Sequence, residues 1–209
     1  MTKIKICGLK RQEDIGMVND LSPDYIGFVF AKSSRQVTAE QADVLKERLL
    51  PTIKAVGVFV NEDQQQIVQL CESGIIDLVR LHGDEDMEYI LELKSRISCP
   101  VIKAVRVQSS EQIRRAEELP CDYLLLDTYT KGQYGGSGQV FDRILIPQLS
   151  KPFFMAGGLT ADNVAASIQE CKKCEPYGVD VSSAVETDGV KDRQKIAEFI
   201  LRVRGLIEV

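Results

Sequence analysis

Tyr25-Ile26-Gly27-Phe28-Val29-Phe30 runs for six residues without a charge. A strand with one face in water alternates apolar and polar side chains, so a run apolar throughout fits a parallel strand covered on both faces. This run belongs to a candidate strand at Asp24–Phe30, and β-branched runs like it recur on both sides. Lys3–Cys7 precedes it, and Ile53–Val60, Ile76–Leu81, Pro100–Arg106, Asp122–Asp127, Pro152–Ala156 and Gly178–Ser182 follow. Their starts lie 21 to 30 residues apart, the length of a strand, a helix and two turns with little spare chain. Helical patterns fill the gaps. Thr38 with Gln41, and Asn61 with Gln64, have the spacing of reciprocal capping boxes. Ala42, Leu45 and Leu49 form one apolar stripe, and Ile67, Leu70 and Cys71 another. Ile196, Phe199, Ile200, Val203 and Leu206 form a third, with Gly205 near its end. Eight such units without a linker predict a single α/β domain over residues 1–209, a closed (β/α)8 barrel of the TIM type, because eight is the number that closes. The stretch Thr128–Gly138, with Gly132, Gly135, Gly136 and Gly138, predicts a long functional loop after strand six. It leaves room only for a short or irregular sixth helix near Asp142–Leu149.

The chain has 209 residues, 44% apolar and 27% charged, and a net charge of −5. At this size one core forms without metal or disulfide. No basic block marks a nucleic-acid surface, and no run approaches a membrane span. The N-terminal residues lack signal-peptide architecture, which predicts a cytoplasmic protein acting on small molecules. A monomer is the expectation, a homodimer the alternative. The six cysteines have no disulfide-scaffold spacing. Cys171 and Cys174 form a C-x-x-C with Lys172-Lys173 between them, in a helical pattern, and read as helix-face residues rather than a metal or redox site.

On such a barrel the strand C-termini and the loops after them form the active face. Cys7 ends strand one, Arg35 follows strand two, His82 follows strand four and Asp127 ends strand six. Gly157-Gly158 follow strand seven, and Ser182-Ser183 follow strand eight. Gly157, Gly158, Ser182 and Ser183 suit a phosphate cup, since glycines let amides approach an anion and hydroxyls add donors, and a short helix after strand eight could point its positive end inward. Cys7 reads either as a small buried residue or, at a polar mouth, as a thiolate base. Asp127 closes the apolar run Tyr123-Leu124-Leu125-Leu126, where burial alone would raise its pKa and make it a general acid. Arg35 becomes a carboxylate clamp if its loop folds over the mouth. His82, the only histidine, reads as a helix cap or a ligand contact.

At these residues the sequence resembles the phosphoribosylanthranilate isomerase family. The likeness is carried by Lys5-Ile6-Cys7-Gly8-Leu9, Gly27-Phe28-Val29-Phe30-Ala31 with Arg35, Gly57-Val58-Phe59-Val60-Asn61 and Leu81-His82-Gly83-Asp84-Glu85. It continues in Leu126-Asp127, Gly135-Gly136-Ser137-Gly138 with Phe141-Asp142, Ala156-Gly157-Gly158-Leu159 and Gly178-Val179-Asp180-Val181-Ser182-Ser183. The resemblance implies an Amadori rearrangement of N-(5-phosphoribosyl)anthranilate in tryptophan biosynthesis, with no cofactor and no metal. It implies Asp127 as the acid that opens the sugar, Cys7 as the base at C2′, and Arg35 on the anthranilate carboxylate. Gly157, Gly158, Ser182 and Ser183 would hold the phosphate, and His82 and Asp180 would be further residues at the substrate mouth. Ser34, Gln36 and Ala184 depart from the usual Pro, Tyr and Gly. A non-catalytic phosphosugar sensor would keep the phosphate cup without needing both Cys7 and Asp127.

Overall fold

The computed structural model describes residues 1–128, 141–171 and 174–205. Eight parallel strands close into a barrel in sequence order: β1 (Lys3–Cys7), β2 (Tyr25–Val29), β3 (Lys54–Phe59), β4 (Leu78–Leu81), β5 (Val101–Val107), β6 (Tyr123–Thr128), β7 (Phe153–Met155) and β8 (Gly178–Val181). Closure is made by β8 pairing with β1, where Lys5 stands opposite Asp180 and Ile4 opposite Val179. All eight strands expected from the sequence are present. Helices α1 (Gln12–Leu21), α2 (Ala39–Glu47), α3 (Gln64–Glu72), α4 (Met87–Arg96), α5 (Ser110–Glu117), α6 (Val164–Glu170) and α7 (Arg193–Val203) fall between or after them. Among the described residues, a single 3-10 turn at Arg143–Leu145 is the only helix between β6 and β7, where the sequence predicts a short or irregular helix near Asp142–Leu149. Most of the glycine-bearing loop expected there, with Gly132, Gly135, Gly136 and Gly138, lies outside the described residues, as do Leu206 and Lys172-Lys173.

The capping box at Thr38 and Gln41 forms with both hydrogen bonds. The one expected at Asn61 does not. Asp63 caps α3 instead, accepting from the Gln65 amide, while Asn61 takes a left-handed turn (φ 50°) and its Oδ1 accepts from the Asp84 amide at 2.8 Å. Asn and Asp are both good caps, and the loop geometry chooses the later one. The helix expected to carry Cys171 and Cys174 ends at Glu170, and Cys171 is its C-cap, outside the helical region at φ −75°, ψ 61°. Cys171 Sγ packs on Met155 and on the Ser167 carbonyl, and Cys174 Sγ faces the Pro147 carbonyl. The short helix expected after β8 is a 3-10 turn, Ser183–Val185, followed by a hairpin of β9 (Glu186–Thr187) and β10 (Val190–Lys191).

Period two along each strand sorts the side chains into two shells. Ile4 and Ile6, Val79 and Leu81, Leu124 and Leu126, and Val179 and Val181 belong to the larger apolar cluster, together with helix residues such as Ile15, Ile90 and Phe199. The intervening residues face the barrel axis. Near the strand N-termini these include Tyr25, Val56, Leu78, Leu125 and Phe154, with Tyr123 and Tyr177 packed against them. One repeat further on, the same register carries Cys7, Arg80, Asp127 and Asp180 to the other end. Among the described residues no helix is long and apolar enough to cross a membrane.

Candidate active site at the C-terminal mouth of the barrel

The strand C-termini surround a cavity of about 390 Å³, within the size range of small-molecule sites. Cys7, Arg35, His82, Asp127, Asp180, Gly157, Gly158, Ser182 and Ser183 all line it, so every site residue expected from the sequence is gathered there. His82 is not a helix cap; Asp86 caps α4.

The floor of the cavity is a buried chain of charges. Asp180 accepts from Lys5 Nζ through one oxygen at 2.8 Å and from Arg80 Nη1 through the other at 2.7 Å. Lys5 is fully buried and Arg80 is 4% exposed. Bare charges would be costly to desolvate here, so each cation needs its carboxylate. The other arm of Arg80, Nη2, lies 3.1 Å from His82 Nδ1 and 3.7 Å from Asp127 Oδ2. Guanidinium only donates, so Nδ1 is the acceptor and the imidazole proton sits on Nε2. That nitrogen lies 3.5 Å from Asp127 Oδ2. Burial first, and then the Arg80 charge, lower the His82 pKa to about 4, so the ring is neutral at pH 7.

Asp127 corrects an expectation. Burial does push its carboxyl upward, but His82, the Arg80 charge and the Thr128 amide on Oδ1 at 2.8 Å together outweigh it and hold the pKa below its ordinary value. Asp127 is therefore an aspartate anion at neutral pH. Gly157 adjoins it at φ +79°, and a Cβ there would strike Thr128 Oγ1 and Asp127 Oδ1, so only glycine allows the β7 turn to pass so close. The Ser182 hydroxyl donates to the Cys7 carbonyl at 3.0 Å and ties β8 to β1 above the pairing of Lys5 with Asp180. Among the described residues no group of three His, Cys, Asp or Glu side chains is placed to hold a metal ion.

A family model described as N-(5'phosphoribosyl)anthranilate (PRA) isomerase matches residues 4–202. The chain belongs to the phosphoribosylanthranilate isomerase family. A relative in Endomicrobium trichonymphae named N-(5'-phosphoribosyl)anthranilate isomerase is 51% identical over 99% of this chain and 100% of its own. The crystal structure of phosphoribosyl anthranilate isomerase from Thermotoga maritima superposes with a TM-score of 0.85 at 36% identity, covering 98% of this chain and 100% of that one. A further structure, of the isomerase in complex with reduced 1-(o-carboxyphenylamino)-1-deoxyribulose 5-phosphate, has a TM-score of 0.80 at 33% identity, with 98% and 100% covered.

Four residues in or behind this mouth escaped the sequence reading: Lys5, Arg80, Glu186 and Lys191. Lys5 and Arg80 each interrupt an apolar strand run two residues before Cys7 and His82, so stepping back by two from those residues would have found them. Glu186 and Lys191 lie on the β9–β10 hairpin, where the Glu186 carboxylate meets Arg35. Two-residue strands without an apolar pattern leave no comparable signal.

Proposed function

We propose that Asp127 and Cys7 perform the acid and base steps of the Amadori rearrangement that converts N-(5-phosphoribosyl)anthranilate to 1-(2-carboxyphenylamino)-1-deoxyribulose 5-phosphate in tryptophan biosynthesis. The observation that carries this reading is the opening of a strand-end thiol on β1 and a strand-end carboxylate on β6 into one cavity. Asp127 gives a proton to the furanose ring oxygen. The C1′–O bond breaks as the anilino nitrogen lone pair forms the C=N bond of an iminium. Cys7 then takes the C2′ proton, and the released electron pair makes an enol amine that tautomerises to the ketone. One group must start protonated and the other must accept a proton. The substrate's own phosphate and carboxylate charges, with the exclusion of water, favour the neutral form of a neighbouring carboxyl. Asp127 therefore takes up its proton as substrate binds.

Gly157, Gly158, Ser182 and Ser183 hold the phosphate in this scheme, and Arg35 holds the anthranilate carboxylate. His82 and Asp180 shape the mouth by fixing Asp127 and Arg80, since both oxygens of Asp180 are already taken by cations. No step calls for a cofactor or metal. Every group comes from one chain and one barrel domain spanning residues 1–209, so a monomer suffices. The six free cysteines suit the cytoplasm.

The test is the decay of phosphoribosylanthranilate fluorescence, with substrate generated in situ and Cys7→Ala run in parallel. Rapid decay with the wild type and background decay with the variant are expected, while the variant keeps its affinity for phosphate ligands. Near-normal turnover by Cys7→Ala would remove the base from Cys7.

A further inference from the structure

Arg35 is anchored by the protein itself. Its Nε and Nη2 donate to Glu186 Oε1 and Oε2, both at 2.7 Å, so one edge of the guanidinium is engaged side-on. A guanidinium has five N–H donors in two forks. The second fork, formed by Nη1 and the remaining Nη2 hydrogen, is not used by Glu186. Gly8, at φ +86°, makes room for this arrangement, because a Cβ there would lie 2.5 Å from Arg35 Cδ.

Glu186 is itself held. Lys191 Nζ donates to its Oε1 at 2.6 Å and to the Ser182 carbonyl at 3.0 Å, with the Lys191 side chain 1% exposed and that of Glu186 7% exposed. Burial raises the Glu186 carboxyl, but Arg35 and Lys191 outweigh it and bring the pKa down to about 2. The cluster thus carries two cations and one anion and presents a net charge of +1. It joins the Arg35 loop to Ser182, one of the proposed phosphate residues.

We propose that Glu186 is a positioning residue that locks Arg35 side-on and so presets its free fork for the aryl carboxylate, making the site selective for an ortho-carboxylated aminosugar phosphate. This rests on the reading of Arg35 as the carboxylate clamp. Coulomb's law alone predicts the opposite effect of removing Glu186. Neutralising it raises the cluster from +1 to +2, which should tighten the binding of an anion, whereas loss of orientation weakens it. The sign of the change decides.

The experiment measures kcat and KM for phosphoribosylanthranilate in Glu186→Gln and in the double variant Glu186→Gln/Lys191→Met, which restores the net charge to +1. It also measures the affinities of reduced 1-(o-carboxyphenylamino)-1-deoxyribulose 5-phosphate and of its anilino counterpart lacking the carboxylate. Both variants should raise KM about tenfold, the worth of one charge-assisted hydrogen bond, with kcat within about twofold. The carboxylated analogue should lose affinity by the same factor, and the carboxylate-free analogue should not. If Glu186→Gln fails to fold, Glu186→Asp keeps the charge while withdrawing the carboxylate by one methylene, and the same selective loss is expected. An unchanged or lowered KM, or an equal loss for both analogues, overturns the positioning role. Arg35→Ala separates the two readings: if it leaves the discrimination between the analogues intact, the clamp itself fails.

Discussion

The two ends of the barrel interior are buried alike and built oppositely. At the N-terminal end, Phe154 meets Tyr25 and Tyr177 edge-on, with ring centroids 5.6 and 5.2 Å apart, and the Tyr25 and Tyr177 hydroxyls satisfy each other at 2.7 Å. At the C-terminal end β1, β4, β6 and β8 supply Lys5, Arg80, Asp127 and Asp180. Aromatic packing gains from dispersion and excluded water wherever shapes fit. A buried ion pair roughly repays its desolvation and is seldom worth more than the apolar side chains that could replace it. Stability is therefore concentrated at one end and chemistry at the other, with the strand register separating them by a few residues.

Breaking each end separately tests that division. The largest effect is expected from Asp127→Asn, which keeps the shape and removes the proton donor. Turnover should fall by about 10²- to 10⁴-fold, the usual contribution of a general acid, in the same fluorescence assay. A variant keeping most of its activity would place the donor elsewhere. Phe154→Ala at the other end should cost about 3–5 kcal/mol of stability through the cavity it opens, read from urea denaturation. Below the unfolding transition its kcat should stay close to that of the wild type, and a collapse of kcat there would show that the two ends are coupled.

The smallest effect sharpens the comparison through pH. With a folded pKa near 4 against an ordinary 6.5, His82 takes up its proton earlier in the unfolded chain than in the folded one. The unfolded state then binds more protons between those values, so stability falls as pH drops from about 6.5 towards about 4. His82→Gln removes this contribution. The gap between wild-type and variant urea midpoints should shift against the wild type from about pH 7 to about pH 4.5, and a constant gap would mean that His82 is not buried neutral.

The strands were legible because each is a short, largely apolar run, and the mouth because Cys7, Asp127 and Ser182 mark strand ends. The charge on Asp127 was not. Burial could be inferred from Leu124-Leu125-Leu126, but the Arg80 and His82 side chains that reverse its effect arrive from β4, a neighbour in space only. Asn61 failed as a cap for a related reason, since its amide is taken by the β4 loop through the Asp84 amide. Cys171 and Cys174 carried a helical pattern past the residue where the backbone turns away.

Lys5 and Asp180 meet across 175 positions of sequence. During synthesis, the first strand leaves the ribosome long before the carboxylate that neutralises its buried lysine has been made. Closing the ring is thus a late, high-contact-order event, and the seat for Arg80 beneath the thiol and the acid is completed only in that event. No nascent fragment lacking β8 can hold this arrangement, so activity should switch on only after the eighth barrel strand is made rather than grow in proportion to chain length.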